Sequence, residues 1–189
     1  MLDAFFTSLV LLALSETGGR VQLLCAALAI RFDAERRVIA ALFGAGFLNC
    51  LISAMAGAQL PHWISDDART LFTALAFGFG GLSMIGWRRR VDSLAGWRTG
   101  PFLTGFLGLF VLMFGDSGQF LLAANAARTD SPLMAAAGGV AGIAAACVPA
   151  VILRERLAEL LPLSTLRRIG GSGFLIVATY LALSAFRLL

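Results

Sequence analysis

The chain has no lysine, one histidine and three cysteines, and only 14% of its 189 residues are charged. So little charge, set against 59% hydrophobic residues and a mean hydropathy of +0.86, excludes an ordinary soluble domain and defines an integral membrane protein. Cys25, Cys50 and Cys147 all lie inside apolar runs with no paired spacing, which argues against a disulfide framework or a zinc site and leaves them as small packing residues. The single histidine, His62, stands in a connection between Pro61 and Trp63, where it reads as an interfacial residue beside an aromatic anchor. No Ser or Cys is positioned with a base, so enzymatic chemistry is not expected and no catalytic residue is assigned. The glycine-rich "FGFGGLSMIG" lies within an apolar run and lacks the strand-to-helix context of a nucleotide loop. No cofactor is expected.

What the chain does contain is a series of apolar tracts long enough for the roughly 20 residues of a spanning helix, divided by short clusters that hold nearly all the charge. These predict an all-α polytopic fold with six spans, approximately Leu2 to Ile30, Val38 to Leu60, Thr70 to Trp87, Pro101 to Ala127, Leu133 to Leu153 and Ile169 to Phe186. No window alternates like an outer-membrane strand. The first apolar run continues past any plausible signal cleavage site, and almost nothing is left over for a soluble domain.

With lysine absent, all 15 basic residues are arginine, and their distribution orients the chain. The connections after spans one, three and five hold Arg31, Arg36, Arg37, Arg88, Arg89, Arg90, Arg98, Arg154, Arg156, Arg167 and Arg168, whereas the other side holds Arg69, Arg128 and Arg187. The positive-inside rule makes those three connections cytoplasmic and both termini non-cytoplasmic. Topology accounts for a pI near 9.8 without aromatic interleaving or a binding fold, so nucleic acid is not an expected partner. The run Arg88 to Arg90 could also attract anionic lipid headgroups. The absence of a targeting extension and of long loops points to a bacterial inner membrane.

The chain also repeats itself. A shift of 97 positions sets Phe5 on Phe102, Thr7 on Thr104, Gly18 on Gly115, Gln22 on Gln119, Arg31 on Arg128 and Asp33 on Asp130 without a gap. The Leu60-Pro61 corner is echoed by Leu161-Pro162. One repeat then occupies about 1–90 and the other about 98–189 of a single transmembrane domain, 1–189. Each holds three spans, and because three is odd the second copy enters the membrane inverted. A 3+3 inverted repeat is a transporter architecture.

Of the eleven acids, only Glu16 and Asp116 lie deep within spans, one in each repeat and each near the repeat's glycine. A carboxylate at that depth costs a few kcal/mol on insertion scales and by default marks an ion or proton path. The flanking "ETGG" and "MFGDSG" place Gly18, Gly19 and Gly115 where they can break the helix and free backbone carbonyls beside the acids. Carbonyls and carboxylates together make a cation site, with Glu16 and Asp116 as the metal-binding pair. The competing structural reading pairs Glu16 with Arg20 four residues on. Gln22 and Gln119 occupy equivalent positions and are candidates either for ligands or for gate residues. Asn49 and Asn125 read as interhelical hydrogen-bonding groups before they read as ligands.

At these residues the sequence resembles the GDT-type calcium/manganese cation:proton antiporters of the LysE-like superfamily, whose signature is two copies of Glu-x-Gly-Asp-(Lys/Arg)-(Thr/Ser), usually followed by Gln. In "ETGGRVQ" Glu16, Gly18, Arg20 and Gln22 match, with Gly19 in place of the family's Asp. In "MFGDSGQ" Gly115, Asp116 and Gln119 match, with Met113 in place of Glu and Ser117 in place of the basic residue. The resemblance implies export of a divalent cation such as Mn²⁺ or Ca²⁺ in exchange for protons. Ser117, Thr17 and the glutamines would serve as neutral donors, and Arg20 as a charge partner that lowers the site's net charge. Proton and metal would compete for the same oxygens. The implied partners are the bilayer, the cation and protons, and self-association into a homo-oligomer is left open. Two alternatives stay open: a LysE-like exporter of another small solute, and a transport-inactive paralogue that packs through the GxxxG spacing of Gly138 to Gly142.

Overall fold

The computed structural model describes residues 1–86 and 91–188, except for the side chains of residues 155 and 158. The end of the third expected span at Trp87, the Arg88 to Arg90 run and the far edge of the first repeat therefore lie outside the described residues. Every regular element among the described residues is helical. In chain order these are α1 (Leu2–Glu16), α2 (Arg20–Phe32), α3 (Glu35–Gln59), α4 (Asp66–Ile85), α5 (Pro101–Met113), α6 (Ser117–Ala126), α7 (Pro132–Leu153), the short α8 (Leu157–Leu160) and α9 (Leu163–Ala185).

Four stretches are long and apolar enough to cross a membrane: Glu35–His62, which is α3 with its terminal 3-10 turn, and α4, α7 and α9. The remaining two expected spans are broken. α1 and α2 meet at 67° and α5 and α6 at 68°, giving up to six crossings if each bent pair is one. At about 1.5 Å per residue neither α1 (15 residues) nor α5 (13 residues) reaches across a core of roughly 30 Å alone.

Local chemistry sets the helix ends. Pro101 and Pro132 open α5 and α7, where a missing N–H costs nothing. The Ser65 hydroxyl accepts from the Ala68 amide at 3.4 Å and Asp66 and Asp67 follow in the first turn of α4, complementing the helix dipole. α9 begins at Leu163, six residues before the expected start, because Pro162 makes the corner and Arg167 and Arg168 belong to the helix rather than to the connection.

The bent pairs and the long helices are packed crosswise. α1 and α2 lie against α7, α5 and α6 against α3, α1 touches α6, α2 touches α5, and α3 and α7 meet in the middle. α4 and α9 form a second close pair at one flank, where α4 also touches α6. Backbones approach closely because small residues line the seams. A side chain at Gly138 or Gly142 would strike the Phe5 or Leu9 carbonyl oxygen of α1, and one at Gly57 would strike that of Ala123 in α6. The GxxxG spacing of α7 is thus filled from within the chain, by α1. Large apolar side chains such as Phe6, Val10, Phe47, Ile176 and Tyr180 point outward, as a lipid-facing surface requires.

Candidate functional site

Both helix breaks are built in the same way. After α1, Thr17 is extended, Gly18 takes φ +67° and Gly19 is extended (φ −75°, ψ 173°) before α2 starts at Arg20. After α5, Phe114 is extended, Gly115 takes φ +75° and Asp116 is extended (φ −79°, ψ 161°) before α6 starts at Ser117. A residue with a Cβ enters the left-handed region only at a cost, so the glycines of the repeat are what allow the chain to turn here.

The glutamines hold the turns. Gln22 Oε1 accepts the Gly18 amide at 2.6 Å, and Gln119 Oε1 accepts the Gly115 amide at 2.8 Å. Each glutamine also reaches a long helix: Gln22 Nε2 donates to the Ala146 carbonyl of α7 and Gln119 Nε2 to Asn49 Oδ1 of α3, both at 2.5 Å. Asn49 in turn donates to the Ala45 carbonyl at 3.0 Å and the Phe110 carbonyl at 3.4 Å, while Asn125 donates to the Ala4 carbonyl at 3.0 Å and Ser8 Oγ at 2.7 Å. Both asparagines bridge helices.

A cavity of about 570 Å³ lies between the two breaks. Glu16, Arg20, Asp116 and Ser117 line it with Gly18, Gly19 and Gly115, and the C-terminal end of α4 and Arg167 of α9 complete the wall. Behind it a recess of about 20 Å³, room for about one water molecule, is lined by Glu16 and Asp116 together with Asn49, Ser53, Gln119 and Met113. Glu16 is buried, and its Oε1 would stand 3.1 Å from a Cβ placed on Gly118, which sets it against the first turn of α6 with the positive end of that helix dipole. The two deep acids thus face the same cavities. Thr17 does not line them: its hydroxyl donates to the Ala13 carbonyl at 2.7 Å. Among the described residues no three His, Cys, Asp or Glu side chains gather as a metal-holding group, so a cation here would draw on two acids and neutral donors.

Arg20 does not pair with Glu16. The 67° break places them on different helices, which removes the i,i+4 geometry, and Arg20 Nη2 instead meets Asp116 Oδ1 at 3.0 Å. Arg167 is the residue of this site that the sequence does not reveal, since in sequence it reads as one of the arginines that set topology. It donates to the carbonyls of Met84 at 3.1 Å, Ser83 at 2.6 Å and Thr17 at 3.4 Å, tying α9 to the end of α4 and to the first break. Its methylenes cover Gly18. The one available signal was an arginine doublet five residues past a Leu-Pro corner.

Two bent apolar helix pairs that each bring an acid to one cavity have the arrangement of a secondary transporter. The chain belongs to the family described as Divalent cation/proton antiporter GDT1, which matches it twice, over residues 4–90 and 101–188. It is 30% identical over 176 residues, 90% of this chain and 86% of the relative, to a Vibrio cholerae serotype O1 protein described as "Putative manganese exporter". No solved structure matches the chain. The family is one of transporters, not enzymes, with cations and protons as substrates.

Proposed function

We propose that this protein exports Mn²⁺ from the cytoplasm in exchange for protons, with Glu16 and Asp116 as the charged ligands of a site near the membrane midplane. The observation that carries this reading is that one acid from each broken helix lines the same pair of cavities. Two carboxylates, with Asn49, Ser53, Ser117 and water as neutral donors, suit a hard divalent ion. Among the hard divalent ions, the name of the Vibrio relative points to Mn²⁺.

The two halves, about 1–90 and 98–189, are taken as inverted copies in one domain. The matching breaks and the exchange of partners, α1 on α7 as α5 on α3 and α2 on α7 as α6 on α3, support that reading. In a cytoplasmic membrane with both termini outside, the ends of α4 and α9 that bound the large cavity lie on the arginine-rich side. The cavity then opens to the cytoplasm. Mn²⁺ enters, the halves rock, and protons from the far side take its place on the same carboxylate oxygens.

The test is proton movement in acid-loaded inside-out vesicles on addition of Mn²⁺, comparing the native chain with Glu16→Gln and Asp116→Asn. Mn²⁺-driven proton efflux is expected from the native chain, with at least a tenfold loss in each variant at equal membrane content. No efflux with any divalent ion from folded native protein would sink the proposal in favour of another solute.

A further inference from the structure

Arg20 stands between two cavities. On one side its guanidinium meets Asp116 Oδ1 at 3.0 Å within the wall of the large cavity. On the other it lines a separate cavity of about 430 Å³ whose acid is Asp92. The Arg20 side chain is 42% exposed against 20% for Asp116, so the arginine is the more accessible partner of the pair.

Asp92 is held in place. It lies in the connection that precedes α5, where Asp92 Oδ1 accepts the Leu94 amide at 3.1 Å. Arg31 of α2 clamps the same connection by donating to the carbonyls of Ser93 at 3.2 Å, Leu94 and Trp97 at 2.7 Å. Leu94 packs down on Gly108 of α5, where a side chain would displace it. An exposed carboxylate on a pinned connection thus shares a cavity with a half-exposed arginine.

We infer that Arg20 is a two-position guanidinium that occupies Asp116 while the cation site is empty and moves to Asp92 when a divalent cation arrives. This inference rests on the reading of Glu16 and Asp116 as cation ligands. A guanidinium on Asp116 and a divalent ion beside Glu16 repel each other, so the ion cannot use Asp116 until Arg20 leaves. Among the described residues, the charged groups that line the two cavities with Arg20 are Glu16, Asp116, Asp92 and Arg167. Glu16 is itself a proposed ligand and Arg167 is a like charge, which leaves Asp92 as the receiving group. Arg20 then acts as a tethered competitor that sets affinity. Apparent dissociation constants scale inversely with the fraction of molecules in which the site is free, so an arginine resident on Asp116 for nine-tenths of the time weakens binding about tenfold.

The experiment is calorimetric titration of MnCl₂ into the full chain in lipid nanodiscs for the native protein, Arg20→Gln, Asp92→Asn, the double variant of these two, and Asp116→Asn. Arg20→Gln should tighten Mn²⁺ binding about tenfold, and Asp92→Asn should weaken it about threefold, because Arg20 loses its second station. In the Arg20→Gln background Asp92→Asn should do nothing. If Arg20→Gln proves unstable, Arg20→Lys stands in; without the fork that grips a carboxylate it should tighten binding, less than the neutral variant does. Equal effects of Asp92→Asn in both backgrounds, or binding unchanged or weakened by Arg20→Gln, would overturn the inference while leaving the cation site intact. Native protein that binds no Mn²⁺, or binding indifferent to Asp116→Asn, would overturn both.

Discussion

Gly18 and Gly115 share one backbone conformation but not one environment, and the difference is measurable. A Cβ on Gly115 would meet nothing within 4 Å, so Gly115→Ala bears only the left-handed penalty of about 1–2 kcal/mol. A Cβ on Gly18 would come 2.8 Å from Arg167 Cδ and 3.4 Å from Leu163 Cβ, so Gly18→Ala also displaces the arginine that ties α9 to α4. Thermal unfolding in detergent should therefore rank native above Gly115→Ala above Gly18→Ala, and the reverse order would show that Arg167 gives way freely. Gly19 differs from both. Its φ of −75° and ψ of 173° nearly match those of Asp116, so its backbone already has the conformation that the acid adopts in the other half. Aspartate at this position, as the motif it resembles has it, would need no new backbone conformation, with its Cβ 3.0 Å from the Glu16 carbonyl oxygen.

At the level of elements, α1 and α7 hold together through glycine rather than through interlocked side chains. Gly138→Ile would force the α7 backbone off the Phe5 carbonyl and should cost about 1–3 kcal/mol as overpacking, seen as a lower unfolding temperature and reduced yield of monodisperse protein. Gly173→Ala, on α9 with nothing within 4 Å, should raise stability by up to about 1 kcal/mol through helix propensity alone. The long helices α3 and α7 were legible in the sequence, because an uninterrupted apolar run bounded by turn residues has few other structures available in a membrane. The breaks were legible as well, through the paired glycines. The start of α9 was not, since Arg167 and Arg168 read as connection until Pro162 is seen to turn the chain. The partner of Arg20 was hidden for a different reason: spacing four residues apart implies contact only along a continuous helix, and a 67° bend voids the rule. No local pattern links residue 20 to residue 116; the link exists only after the two bent pairs have packed.

For the whole molecule, the proposed orientation predicts which aqueous phase reaches the large cavity. The native cysteines Cys25, Cys50 and Cys147 are buried, so a cysteine introduced at Ser83, in the cavity wall, can be read against a silent background. Ser83→Cys should react with a membrane-impermeant maleimide in inside-out vesicles and resist it in right-side-out ones. The opposite pattern would reverse the assigned topology. What moves between such states is constrained by the two glutamines. A helix interrupted by glycine is ordinarily a place where a chain flexes, yet here the freed amide of each glycine is bound to a side chain four residues ahead, and that side chain is anchored in a neighbouring helix. In the language of hydrogen exchange, the Gly18 and Gly115 amides are non-helical positions that should trade deuterium as slowly as helical ones. Each elbow carries its own brace, so the proposed rocking is expected to carry the bent pairs whole and to place the shear between helices rather than within them.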